Sequence, residues 1–438
     1  MHVVAWPVSV HLLTNTYCPV QQSSLSPTVP RVVGLDVHPD SFTASILQGD
    51  TPLAAVELIV FNKVPIGTLT NWAQKHTLPS DTLVLEASGN SFDVARKLLA
   101  SGRKVLVLES VFVGKLKESH ANNDRISATR IARAYLCGNA KTVWIPDLLT
   151  QERRDLFHAH RRAVKGVTAA SNSLCSYLSD NGVRLAKSLL DFSRDERRKA
   201  VLTAKTWNPT QTQILEIHLL ELDHHVELQG RLASLVAQQV LQDSKLLELT
   251  RLCGIRDVLA FAFGAFVGDI NRFKSPESLV KYTGLNPAFD DSGKGTWKGG
   301  IKGHGRKELR ALLIEAGHAL LRSTNHPNSD WGRKLLARKS RVPLVVAALA
   351  RKLVVQVWYS LKGLTKPLED VSKPMSQKIG KIISRVGPQG LDALGITRKA
   401  ARKQALETLR TRKPGREYIL RQDPPNPGSQ THASALAT

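Results

Sequence analysis

Between Arg31 and Val60 the apolar positions come in short β-branched runs. Val32–Val37 is nearly continuous, Phe42–Leu47 alternates apolar with polar, and Leu53–Val60 is again rich in Val, Ile and Leu. Such runs predict strands. Ile66–His76 has helical spacing, Thr82–Glu86 reads as a short buried strand, and Ser91–Leu99 as a helix closed by Gly102. Lys104–Leu108 predicts another strand, and Ile126–Leu136 a helix stopped at Gly138. Strands alternating with helices predict an α/β domain with a mixed sheet over residues 31–148.

From Leu149 to Leu249 the pattern changes. Gly and Pro become scarce, and Leu215, Leu219, Leu222, Val226 and Leu228 recur at helical spacing. This predicts long helices folded as a coiled-coil arm over residues 149–248. Residues 249–363 read as a mainly α-helical C-terminal domain, with helices over Lys307–Ser323 and Val342–Leu361. The Gly-centred turn at Leu252–Arg256 is read either as a phosphate-binding helix-hairpin-helix turn or as a plain helical turn. Residues 364–438 hold a basic amphipathic helix over Thr397–Arg410 and then a Pro/Asn/Ser/Thr-rich stretch past Gln422, expected as a disordered tail. Residues 1–30 are expected as a disordered leader.

Charge then points to a partner class. Lys and Arg number 61 against 37 Asp and Glu, a net of +24. That surplus favours a polyanion, nucleic acid before membrane. It is unevenly placed: residues 1–150 hold 13 basic and 11 acidic side chains, so nearly all of the surplus lies beyond them. The hydrophobic content of 42% excludes a wholly disordered chain. Cys18, Cys137, Cys175 and Cys253 stand singly, without ligand spacing, and read as reduced thiols of a cytoplasmic protein. No uninterrupted apolar run reaches ~18 residues, so no membrane span is expected. The first residues lack a charged region before an apolar stretch, which argues against a signal peptide.

Candidate chemistry begins with Asp36, a carboxylate near the end of an apolar strand, and Glu86, at the end of another. Burying such groups is costly without a positive partner, and a shared divalent metal supplies one. Asp124 opens the helix after them. Three carboxylates suit Mg²⁺, which takes hard oxygen ligands and keeps some waters. The plainer alternatives are a chance strand end, a surface Glu and a helix cap. Residues 294–363 carry 15 basic side chains against 3 acidic. Among them Lys294, Lys298, Lys302, Arg306, Lys307, Arg310, Arg351 and Lys352 are candidate nucleic-acid contacts, or a solvated helical face. Trp297, Trp331 and Trp358 could stack on bases or fill a core, and His224-His225 reads as structural. Ser292, in Asp290-Asp291-Ser292-Gly293-Lys294, is by itself turn chemistry.

In order, Gly34-x-Asp36, Glu86-Ala87-Ser88-Gly89, Asn123-Asp124-Arg125-x-Ser127-Ala128 and Trp144-Ile145-Pro146 resemble the RuvC-like, RNase H-type domain of DEDD insertion-sequence transposases. Asp269-Ile270-x-Arg272-Phe273, Tyr282-x-Gly284-Leu285-x-Pro287, Ser292-Gly293, Gly303-x-Gly305 and Ala350-Arg351-Lys352-Leu353 are similar to that family's C-terminal transposase domain. The resemblance covers residues 31–363. It implies a cytoplasmic, nucleoid-associated prokaryotic recombinase that acts on double-stranded DNA, at the element ends and at a target. It further implies Asp36, Glu86 and Asp124 as catalytic Mg²⁺ ligands, Ser292 as a nucleophile that joins covalently to DNA phosphate, a guiding non-coding bridge RNA, and a homodimer or homotetramer. One position departs: the family has a second Asp three residues after the one at Asp124, and here it is Ser127. Either three carboxylates suffice or this copy is impaired. Two other readings stay open, a metal-dependent RuvC-like junction nuclease and a catalytically impaired DNA-binding remnant.

Overall fold

Three strands, β1 (Arg31–Val37), β2 (Ser41–Gln48) and β3 (Val56–Pro65), form an antiparallel meander, and β1 pairs on its other edge with parallel β4 (Thr82–Glu86). β5 (Lys104–Leu108) continues parallel to β4, and β6 (Thr142–Val143) closes the edge antiparallel. The sheet order is β3-β2-β1-β4-β5-β6. These details come from a computed structural model that describes residues 29–115, 123–292, 295–301, 304–323, 326–364 and 373–411. The expected leader, apart from its last two residues, and the expected C-terminal tail lie outside that range. The chain divides into two units, Met1–Asp147 and Leu148–Thr438.

In unit one, strand alternation sends side chains to two separate cores. Val33, Leu35, Phe42, Leu83 and Leu85 face α1 (Leu69–His76) and α2 (Ser91–Ala100). Val32, Leu47, Val84 and Leu108 face α3 (Ser110–Lys115) and α4 (Asp124–Leu136). The result is a mixed sheet with helices on both faces, as the alternating pattern predicts. β3 begins at Val56 and not at Leu53. The Thr51 hydroxyl and carbonyl accept the Ala54 and Ala55 amides, a local turn that leaves Leu53 99% exposed.

Gly34 decides how closely α4 can approach. It lies on the same side of β1 as Val32, and a Cβ there would come within 2.0 Å of the Ala128 carbonyl oxygen. Any side chain would lift the helix from the strand. With glycine the α4 backbone rests directly on β1.

Among its described residues, unit two is helical apart from one hairpin. α5 (Leu148–Asp180) and α7 (Pro209–Gln242) have 33 and 34 residues, each about 50 Å long at the usual helical rise. They run antiparallel: Gly166 meets the His225 ring, and Asn181 bonds Gln211. Leu174, Leu178, Leu215, Leu219 and Leu222 form their seam, with α6 (Arg194–Leu202) contributing Val201 near the tip. His225 is therefore a packing residue, as expected. The main core gathers α8 (Ser244–Leu249), α9 (Asp257–Phe266), α10 (Pro276–Thr283), α11 (Lys307–Arg322) and α13 (Val342–Leu361), with α12 (Pro327–Lys339) laid against α11 and α13. β7 (Pro287–Ser292) and β8 (Gly295–Ile301) form the hairpin between α10 and α11.

By length and composition α13 is apolar enough to cross a membrane, because it carries just two charges, Arg351 and Lys352. Its Val345, Leu349, Leu353 and Val357 are buried in the core, and it behaves as a core helix. The turn at Leu252–Arg256 joins α8 to α9, with Gly254 set against the Ala316 carbonyl of α11 and Ile255 buried. α14 (Lys373–Ala393), whose Met375, Ile379, Ile382, Ile383 and Val386 recur at helical spacing although the sequence reading passed over them, packs with α15 (Arg398–Thr411) through Ile379, Ile383, Ala401 and Leu409. Its helix is broken at Gly387-Pro388.

Candidate metal centre

Asp36 and Asp124 are brought together by the strand–helix contact at Gly34. Asp36 is two residues beyond Gly34 on β1, and Asp124 opens α4. Asn123 is the helix cap: its side chain accepts the Ile126 amide at 2.9 Å. The capping role is thereby filled, and the Asp124 carboxylate remains for other chemistry. α4 is also tied to the meander through Glu57 of β3. Its carboxylate accepts from Arg125 at 2.7 Å, Thr129 at 2.7 Å and Ser45 at 3.3 Å. Burial alone would raise the Glu57 pKa, but the Thr129 and Arg125 hydrogen bonds and the Arg125 charge outweigh it and hold the pKa low.

A third side chain joins the pair. His38, two residues past Asp36, places Nε2 3.5 Å from Asp124 Oδ1 and 3.8 Å from Asp36 Oδ2. One ligand atom from each of the three lies within 4.8 Å of the others. Donors around an ion with ~2.1 Å bonds stand about 3 to 4 Å apart, which matches the two separations from His38 Nε2. The His38 backbone is fixed from two sides: its amide bonds the Ser41 carbonyl at 2.8 Å, and the Asn90 side chain donates to its carbonyl at 3.1 Å.

Glu86 and Ser127 fall differently. Asp36 and Glu86 each stand one residue past the last parallel pair, Leu35 with Leu85, so their backbones share the strand-end level. The Glu86 carboxylate is outside the group of three. Ser127 is buried, hydrogen-bonds the Asp36 carboxylate, and accepts from Arg130 at 3.2 Å. Burial raises the Asp36 pKa above the ordinary carboxylate range, and the Asp124 charge pushes the same way. His38, Arg130 and the Ser127 hydrogen bond oppose them. The sequence reading missed His38. It lies one residue past the end of β1, where strand alternation no longer assigns a side.

In unit two the motif residues build the base of the β7–β8 hairpin. A Cβ on Gly284 would come within 2.0 Å of the His304 carbonyl, and one on Gly305 within 2.7 Å of the Gly284 nitrogen. The two glycines let the chain entering and leaving the hairpin touch backbone to backbone. Beside them the Tyr282 hydroxyl donates to the Phe266 carbonyl at 2.8 Å and accepts from Arg306 Nε at 3.1 Å. Arg272 is sandwiched over Phe273 and Tyr282 and donates to the Val267 and Phe266 carbonyls. Burial lowers its pKa.

At the far end of the ladder Ser292 pairs with Gly295, and Lys298 pairs with Phe289. Lys294 and Lys302 lie outside the described residues. Lys307 is exposed in the first turn of α11, whereas Arg306 is engaged with Tyr282. Arg310 reaches the His304 carbonyl at 3.5 Å. On α13, Lys352 sits 4.2 Å over the Trp331 ring, and burial lowers the pKa of half-buried Arg351. Trp358 is a core residue whose Nε1 donates to the Phe273 carbonyl at 3.1 Å.

Residues 247–331 match the family model of the IS116/IS110/IS902 transposases. A Sinorhizobium fredii protein named "Putative transposase y4qE" is 25% identical over 234 residues, 52% of this chain and 56% of its own length. The transposase for insertion sequence element IS1328 of Yersinia enterocolitica is 22% identical over 290 residues, 64% of this chain and 84% of its own. The chain thus spans little more than half of the first relative. It is similar in sequence to insertion-sequence transposases, and the matched segment contains the whole β7–β8 hairpin.

Proposed function

We propose that this chain is an insertion-sequence transposase that cuts and rejoins DNA strands. The observation that carries this reading is the transposase match over residues 247–331, the segment that holds Ser292. Unit one supports it with two carboxylates converging at a strand end, in a sheet whose meander continues into parallel strands. This is the arrangement we read as RuvC-like.

In this reading Asp36 and Asp124 hold a divalent ion, Mg²⁺ by family resemblance, with Glu86 at the same strand-end level. When bound, such an ion stabilises the attacking and leaving oxygens of a phosphodiester. Ser127 and Arg130 act through Asp36, by aiming its carboxylate. Ser292 attacks the phosphorus as its hydroxyl proton is lost to a base. The bond to the leaving strand end breaks, and its oxygen takes a proton from an acid and departs as a free hydroxyl. Gly284 and Gly305 fix the hairpin that presents the serine. Lys294, Lys298, Lys302, Lys307 and Arg310, together with Arg306, Arg351 and Lys352, are the residues we assign to DNA contact, Lys294 and Lys302 on sequence alone. A guide RNA and a homodimer or homotetramer complete the assembly, and the site of action is the cytoplasm.

A strand-transfer assay with the flanking DNA of the element tests this. The wild type yields a denaturation-resistant DNA adduct that Ser292→Ala abolishes, and Asp36→Ala abolishes both adduct and strand transfer. Cleavage that survives Ser292→Ala would instead select the junction-nuclease reading. Ser127→Asp raises activity if a fourth acid is missing from the centre, and leaves it unchanged if the present donors suffice.

A further inference from the structure

We infer that His38 is itself a metal ligand, and that its imidazole makes this centre prefer Mn²⁺ to Mg²⁺. The inference rests on reading Asp36 and Asp124 as a metal site. It departs from the all-carboxylate set that the sequence suggests.

The donor set is the argument. Of the four side chains expected around the ion, Asp36 and Asp124 are in the group, the Glu86 carboxylate is outside it, and Ser127 stands in place of the fourth acid. Ser127 is committed elsewhere, to the Asp36 carboxylate and to Arg130. The position nearest both carboxylates is taken by a nitrogen, His38 Nε2, at 3.5 Å from one and 3.8 Å from the other. His38 is held there by main-chain bonds to Ser41 and from Asn90, so the ring springs from a fixed backbone.

The chemistry follows from ligand preference. Mg²⁺ favours hard oxygen donors in a near-ideal octahedron and parts reluctantly with its waters. Imidazole nitrogen suits first-row transition ions better than Mg²⁺, and among those ions Mn²⁺ is the one that, like Mg²⁺, also favours carboxylate and water oxygens. Two carboxylates plus one imidazole therefore favour Mn²⁺. A plain alternative is that His38 is only a counter-ion that neutralises two acids when no metal is bound. That role predicts no nitrogen in the coordination sphere.

The test is direct binding to the full-length protein, with Mn²⁺ and Mg²⁺ titrated by calorimetry. Pulsed electron paramagnetic resonance of the Mn²⁺ form reads nitrogen coupling to the ion. The wild type is expected to bind Mn²⁺ at least about tenfold more tightly than Mg²⁺ and to show ¹⁴N modulation from a coordinated imidazole. His38→Ala should remove the modulation and cost Mn²⁺ about tenfold or more in affinity. His38→Asp should restore an all-oxygen set and bring the two ions to similar affinities. Mn²⁺ bound without ¹⁴N modulation, or an unchanged preference in His38→Ala, overturns the inference and leaves the carboxylate site standing. If wild type binds neither ion, or binds both equally well after Asp36→Asn, the metal-site reading itself fails.

Discussion

Asp36 is the residue at which stability and chemistry oppose each other. Its pKa is raised chiefly by burial, so the folded protein holds this proton to higher pH than the unfolded chain does. The sign follows: without metal, stability falls as pH rises from the ordinary Asp range through the raised pKa. Asp36→Asn removes that charge. In thermal melts with chelator from about pH 4 to about pH 8, the variant should lose part of this decline and melt above wild type at the upper end. On the proposed metal-site reading, divalent ions raise the wild-type melting temperature, and Asp36→Asn should lose that rise. Asp36 was legible in the sequence because a carboxylate stands out in an apolar strand. His38 was not, since it falls just past the last apolar residue and looks like loop. The role of Ser127 was also hidden. The sequence shows a missing acid, but that its hydroxyl turns to Asp36 depends on how α4 docks.

At the scale of elements, the decisive contact is α4 on β1. Gly34→Ala would drive a methyl into the Ala128 carbonyl, backbone against backbone, with no flexible side chain to yield. The expected cost is about 3 kcal/mol, the upper end of overpacking penalties, read as a lower midpoint in urea unfolding. Divalent binding should weaken with it, because Asp124 rides on that helix. Most elements of unit one were readable, because runs such as Val32–Val37 and Lys104–Leu108 carry their own apolar signature. The start of β3 was misread, since Leu53 is apolar but sits in a hydrogen-bonded turn. α14 was missed for a different reason. Its Met375, Ile379, Ile382, Ile383 and Val386 recur at helical spacing before the break at Gly387-Pro388, so the signal was present and went unread among the basic residues around it. Arg306 reads as a surface cation, and nothing nearby in sequence reveals that Tyr282 claims it.

For the whole molecule, charge is divided as the fold is. Nearly all of the +24 lies beyond the first 150 residues, so the DNA binding we propose should fall steeply with salt. If Lys298 contacts a phosphate as proposed, Lys298→Ala should lower the slope of log affinity against log salt by about 0.9, measured by fluorescence anisotropy. The boundary at Leu148 has a consequence for calorimetry. Each unit has its own cores, so the thermogram of the intact chain should resolve two transitions rather than one. A ligand raises only the transition of the body that binds it. Divalent ions should then move one peak and a DNA duplex the other, and the heating curve becomes a map of which half of the molecule each partner grips.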